Sequence, residues 1–152
     1  MRKARKIVLI LGITALLCSF KAFNAEQDWI TWANHALSES VDPLAEARVK
    51  KWEIMLTADH FMRLRKTYQQ GKQEYYSFNM QRFAEMDYVP GAVNDTLRFH
   101  TRADDIIYQT YNDPKGDIDS MATMLVMPVR KLSAGRLDSL KQALEVLKGK
   151  NL

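Results

Sequence analysis

The chain has 152 residues, of which 22 are Lys or Arg and 18 are Asp or Glu, a formal charge of +4. Five of the basic residues and none of the acidic ones lie in residues 1–25, which leaves 17 basic against 18 acidic side chains after that point. The basic excess therefore belongs to the first segment, and the remainder carries no general attraction for nucleic acid.

Arg2, Lys3, Arg5 and Lys6 precede an apolar run, Ile7 to Phe20, that stops at Lys21. A spanning helix needs ~20 apolar residues, more than this run supplies. Basic flank, short apolar core and a following small-residue region are the order of a secretory signal peptide. Cleavage is expected after Ala25, although Phe23 stands where a small residue is preferred. The stretch Ala15-Leu16-Leu17-Cys18-Ser19 also resembles a bacterial lipoprotein signal, with Leu17 in place of the usual small residue before the cysteine. Lipidation at Cys18 and an uncleaved anchor are the alternatives. The expectation is an exported protein, periplasmic or secreted, that meets a membrane only through its leader or a lipid on Cys18. Residues 26–152 then form a single domain with no cysteine, which must hold itself together by its core.

In that domain, Glu26 to Leu37 has helical spacing, with Trp29, Trp32, Ala33, Ala36 and Leu37 on one side. Asp42-Pro43 reads as a second helix start, and the stripe Leu44, Ala45, Val49 and Trp52 predicts a short helix ending near Lys51. From Trp52 to Tyr68 the apolar residues instead recur at every second position: Trp52, Ile54, Leu56, Ala58, Met62, Leu64 and Tyr68, interrupted by His60 and Lys66. That alternation predicts one long half-buried strand. Residues 69–73 supply a turn around Gly71, and Tyr76, Phe78, Met80, Ala84, Met86 and Tyr88 predict a second strand, broken by Arg82. A five-residue loop sets Leu64 opposite Phe78, Met62 opposite Met80, and His60 opposite Arg82. A third strand runs from Leu97 to Tyr111, with a change of apolar parity near Ile106 that suggests a bulge. After the turn at 112–116, Met121 to Val129 is apolar on both sides and predicts a strand covered on both faces, with Pro128 confining it to an edge or a strand end. Ser133 caps a last helix, whose Leu137, Leu140, Leu144 and Leu147 share one face before Gly149.

The predicted fold is α+β: a four-stranded antiparallel meander with two short N-terminal helices and one C-terminal helix packed on it. In architecture, though in no motif, it resembles cystatin-like α+β folds, a likeness that implies nothing about activity.

His60 and Arg82 are the candidate ligand-binding pair, because each interrupts an apolar row and the two are expected to face each other. An imidazole and a guanidinium so placed would suit an anionic group. His100 with Asp104 is a second candidate set for acid–base work, but neighbouring strand residues point to opposite faces, so Asp104 and Asp105 share a site only across a bulge. Asp113, Asp117 and Asp119 lack the frame of a calcium loop and read as a solvated turn. No phosphate-binding glycine loop, nucleophile elbow or zinc-binding helix motif is present in the sequence. The reading is therefore an exported non-enzymatic binding or interaction protein, with no cofactor and no metal site. Its expected partner is an envelope protein or an apolar small molecule. The alternatives are a carrier of an apolar ligand such as a lipid, and an enzyme of unfamiliar type using His60/Arg82 or His100/Asp104.

Overall fold

The computed structural model describes residues 25–149. The predicted leader, apart from Ala25, and Cys18 lie outside the described residues. A helix, α1, spans 25–40. Among the described residues eight strands follow: β1 (Val49–Leu56), β2 (Phe61–Tyr68), β3 (Gln73–Asn79), β4 (Phe83–Val89), β5 (Asp95–Thr101), β6 (Ile106–Tyr111), β7 (Asp119–Ala122) and β8 (Met124–Val129). The helix α2 (Ala134–Lys148) closes the order. All pairings are antiparallel, in a five-stranded sheet β1-β2-β3-β6-β7 and a three-stranded sheet β4-β5-β8. The fold is α+β as expected. The four-stranded meander and the second N-terminal helix are not what forms.

The second helix fails at its first turn. Asp42 uses its carboxylate on the Leu44 N–H (3.0 Å), and the chain then makes separate turns, Ala45 N–H to Asp42 O and Val49 N–H to Glu46 O. Leu44, which a helix would have to bury, is 84% exposed. A short helix without a buried face has too little to offset its nucleation.

The long strand expected over 52–68 is a hairpin. β1 and β2 pair with Leu56 opposite Met62 and Ile54 opposite Leu64, around a tight turn in which Thr57 N–H donates to Phe61 O and His60 takes a positive φ of 61°. The three residues between Thr57 and Phe61 match a type I turn followed by a left-handed residue. Such a loop pairs even numbers with even numbers, so alternation runs through the reversal unbroken. The next turn has the same form: Tyr68 N–H donates to Lys72 O and Gly71 adopts φ 90°. The loop is three residues, not five. β3 therefore slides by two positions from the expected register, setting Met62 opposite Phe78 and Leu64 opposite Tyr76. A slip of two keeps every side chain on its predicted face.

The remaining three strands are each interrupted at one level. A 3-10 turn, Met80–Arg82, separates β3 from β4, with Asn79 Oδ1 accepting from Gln81 N–H at 2.9 Å. Residues 102–105 separate β5 from β6, and Thr123 separates β7 from β8. Backbone bonds cross this line from Arg102 N–H to Arg82 O (3.0 Å) and from Thr101 N–H to Thr123 O (3.1 Å). Asp105 braces it, with Oδ2 3.0 Å from Arg82 Nε and 3.1 Å from the Ala103 N–H. The expected parity change is real: Leu97, Phe99 and Thr101 are buried on odd numbers, Ile106 and Thr110 on even.

Buried side chains of both sheets and both helices form one cluster, including Leu37, Leu56, Met62, Leu64, Phe78, Phe83, Phe99, Met127 and Leu144. Each such burial is worth roughly 1.5–3 kcal/mol relative to exposure. α2 packs on the 3-10 turn and β4, and its Lys148 donates to Ala84 O at 3.0 Å. The strand expected to be covered on both faces is not: Leu125, Met127 and Val129 are buried, while Met121 (53%), Met124 (38%) and Val126 (42%) are exposed. Pro128 does lie at a sheet edge, since β8 is the terminal strand of its sheet.

The left-handed turn at Gly71 has open space where a Cβ would sit, so only the backbone conformation opposes a side chain. Gly71→Ala is expected to lower stability by about 1–2 kcal/mol. Gly135→Ala, in the first turn of α2 with equally open space, is expected to raise it by about 0.4–1 kcal/mol. Urea denaturation of both variants measures the pair, and equal shifts of one sign would contradict the assignment.

Candidate functional site

His60 and Arg82, the predicted pair, are not brought together by any hydrogen bond or ion pair. His60 is buried in the β1–β2 turn with Nε2 2.5 Å from Glu26 Oε1, tying the start of α1 to the hairpin tip. Arg82 lies in the 3-10 turn, bound to Asp105. The two fall apart because the sequence register treated His60 as a mid-strand residue, whereas it makes the turn. His100 and Asp104 are not joined either: His100 Nε2 lies 2.9 Å from Asp87 Oδ2, and Asp104 is exposed. Asp113 accepts from the Lys115 N–H at 3.0 Å and Asp117 from the Asp113 N–H at 2.9 Å, as turn residues do. Among the described residues, no three His, Cys, Asp or Glu side chains gather as a metal site would require.

A different group converges. The inward face of the five-stranded sheet is apolar where it meets the helices, then becomes polar and aromatic toward the far end of β1–β3. One cross-strand row reads Trp52, Lys66, Glu74, Thr110; the next reads Ile54, Leu64, Tyr76, Tyr108, Ser120. Lys66 is only 8% exposed. Its Nζ sits 2.8 Å from Glu46 Oε1, 4.0 Å from Glu74 Oε2 and 4.7 Å from the centre of the Trp52 ring. Glu74 is also 3.2 Å from Lys72 Nζ, which is in turn 2.8 Å from Asp113 Oδ2. The result is a chain of alternating charges, Glu46–Lys66–Glu74–Lys72–Asp113. Each charge withdrawn from water meets an opposite one, as a largely buried charge requires.

The Tyr76 and Tyr108 rings lie 4.8 Å apart beside this chain. Burial, and after it the carboxylate of Glu74, pushes the phenols of Tyr68 and Tyr76 above the ordinary tyrosine range. They remain protonated at neutral pH and are hydrogen-bonding groups there, not bases. The sequence did mark Lys66 as a break in an apolar row. Its partner Glu74 became legible only once the register was known.

Across a cleft from this floor lies β8, which continues the line of β7 beyond Thr123. A cleft of about 270 Å³ has Glu46, Lys66 and Tyr76 on one side and Thr96, Met124 and Val126 on the other. β7 and β8 are the last strands of their sheets. From Ser120 to Val129 the edge carries no charged residue. Its far end is covered: Val41 bridges Val129, Asp42 N–H donates to Pro128 O (3.1 Å), and Arg130 N–H donates to Ser40 O (2.9 Å). Because the Pro128 carbonyl points outward, the backbone groups of Val126 and Met124 do so too. Among the described residues, these outward groups have no backbone partner.

No known protein family, curated protein or solved structure matches the chain.

The Lys72–Asp113 pair sets a pH dependence. Lys72 holds the Asp113 carboxyl below its ordinary 3.8, aided by the Lys115 N–H. This contribution to stability is present above that value and lost as pH falls through the depressed one. Asp113, and less strongly Glu74, hold Lys72 above its ordinary 10.5, although partial burial opposes them. That contribution is complete below 10.5 and lost as pH rises through the raised value. Lys72→Met is expected to destabilise most between 3.8 and 10.5 and progressively less beyond either limit. Urea midpoints measured across that range check it; a pH-independent loss would contradict the pairing.

Proposed function

We propose that this protein is an exported, non-enzymatic interaction module that binds an extended segment of a partner protein by strand addition along β7–β8. The observation that carries the reading is the uncharged, unpaired edge with Met121, Met124 and Val126 exposed along it. Sheet edges that stay unpartnered are blunted by charges, proline, bulges or covering segments. Here Pro128 and residues 40–42 blunt the far end and Thr123 interrupts the edge once. Met124 to Val126 carries neither charge nor cover and can template another strand. Export rests on the basic-then-apolar leader pattern of residues 2–20. The partner's chemistry follows from the edge: an extended stretch with apolar side chains at alternate positions, which would lie against Met124 and Val126.

A partner segment fits better than a second copy paired with Met124 opposite Val126. Two copies related by a twofold axis, with Met124 opposite Val126, would bring Ser120 and Ala122 of one onto Arg130 and Pro128 of the other. There the outer side is already taken by Ser40 and Asp42. The carrier reading has less support, because Phe78, Phe83 and Phe99 fill the core and the clefts have mixed polar and apolar walls. The enzyme reading lacks its convergent groups, since His60, Arg82, His100 and Asp104 belong to separate contacts.

A photocrosslinking residue at position 126, used in cells, identifies what meets the edge, and amide exchange on the purified complex then tests how. The expected result is a captured segment that slows exchange of the Met124 and Val126 amides, with binding abolished in Val126→Lys at little cost in stability. Capture without protection of those amides, self-association alone, or undiminished binding by the lysine variant would overturn the proposal.

A further inference from the structure

A second recess lies at one end of the strands of the five-stranded sheet, beside the turns that join β2 to β3 and β6 to β7. It encloses about 370 Å³, in the range of small-molecule sites. Three separate segments build it: Arg48 before β1, Tyr68 to Lys72 around the first turn, and Asp113 to Lys115 in the second. Three cations (Arg48, Lys72 and Lys115) line it against the single carboxylate of Asp113.

The cations differ in what they are free to do. Lys72 is committed, 2.8 Å from Asp113 and 3.2 Å from Glu74. Arg48 and Lys115 have no ion-pair partner among the described residues. Asp113 forms its ion pair with Lys72 and accepts from the Lys115 N–H (3.0 Å); the Lys115 ammonium acts on it through charge without an ion pair, and Arg48 is not met by it. The structure thus places two cations without an ion-pair partner among the described residues in the lining of a recess, in a domain whose side chains sum to about −1. Tyr68 and Pro114 add flat, weakly polar surface to the same lining. The Lys72 Nζ lies 5.6 Å from the centre of the Tyr68 ring.

We propose that this recess binds a small organic anion, with its carboxylate or phosphate on Arg48 and Lys115 and its flat body against Tyr68 and Pro114. A guanidinium accepts either head group through paired N–H donors, and an ammonium adds a second charge-assisted bond. The site lies apart from the β7–β8 edge and stands or falls independently of strand addition.

Phenyl phosphate and benzoate share a body and differ in head group, while inorganic phosphate has the head group alone. Each is titrated into the purified domain at low ionic strength and followed by backbone amide NMR shifts. The expected result is a saturable response to phenyl phosphate or benzoate confined to residues 48, 68–72 and 113–115; whichever binds more tightly identifies the head group. The double variant Arg48→Gln/Lys115→Gln is expected to weaken that binding by about tenfold or more. Both side chains are exposed, and an unchanged amide spectrum elsewhere confirms that the variant is folded. Shifts that do not saturate, that spread equally over other basic surface, that inorganic phosphate reproduces in full, or that persist in the double variant would overturn the site.

Discussion

The constraint on which this fold depends is that one face of the sheet must stay buried while three of its strands break at the same level. Residues 80–82, 102–105 and Thr123 all lie on that line, and backbone bonds from Arg102 to Arg82 and from Thr101 to Thr123 tie the interruptions together. A bend without inserted residues would turn half of each strand inside out, because side chains alternate strictly. The 102–105 insertion shifts the buried set from odd to even numbers, so Phe99 and Ile106 both reach the core. Asp105 makes the irregular stretch tolerable by accepting from Arg82 and from the Ala103 N–H. A residue that looked like half of a catalytic carboxylate pair is the brace of a bend.

The same architecture explains why the sheet ends as it does. The helices cover the inward face only in part, and beyond them the apolar rows give way to Lys66, Glu74 and the tyrosines. A buried lysine is costly unless its charge is met, and here two glutamates and the Trp52 ring meet it. Glu46 comes from the segment that failed to become a helix. By staying irregular, residues 42–48 reach from the β8 edge to β1 and lay that carboxylate over the sheet. This one segment both covers the Pro128 end of the β8 edge and completes the charge chain, while the stretch around Met124 and Val126 remains open.

Legibility differed from one residue to another for stated reasons. Which side chains face inward was readable for nearly the whole of β1–β3, since both turns keep even positions paired with even positions. That property also hid the first turn: Thr57 to His60 carries no glycine, and His60 takes a left-handed conformation that non-glycine residues seldom adopt. The predicted His60–Arg82 pair was the casualty. The second turn was located through Gly71, but its length was misjudged by two residues, which moved every cross-strand neighbour while leaving every face intact. Lys66 was visible as an anomaly without a partner, and Glu46 sits in a segment whose pattern pointed to helix.

Composition and periodicity by themselves determined the α+β class and the inward face of most of β1–β3, because these follow from local spacing and turn chemistry. They also determined the capped C-terminal helix and the placement of Pro128 at an edge. The tertiary structure alone decided the number of strands, the division into two sheets, and which charges meet across them. Those outcomes depend on register and on chain reversals, where a shift of two residues leaves the sequence pattern unchanged and gives every side chain a new neighbour.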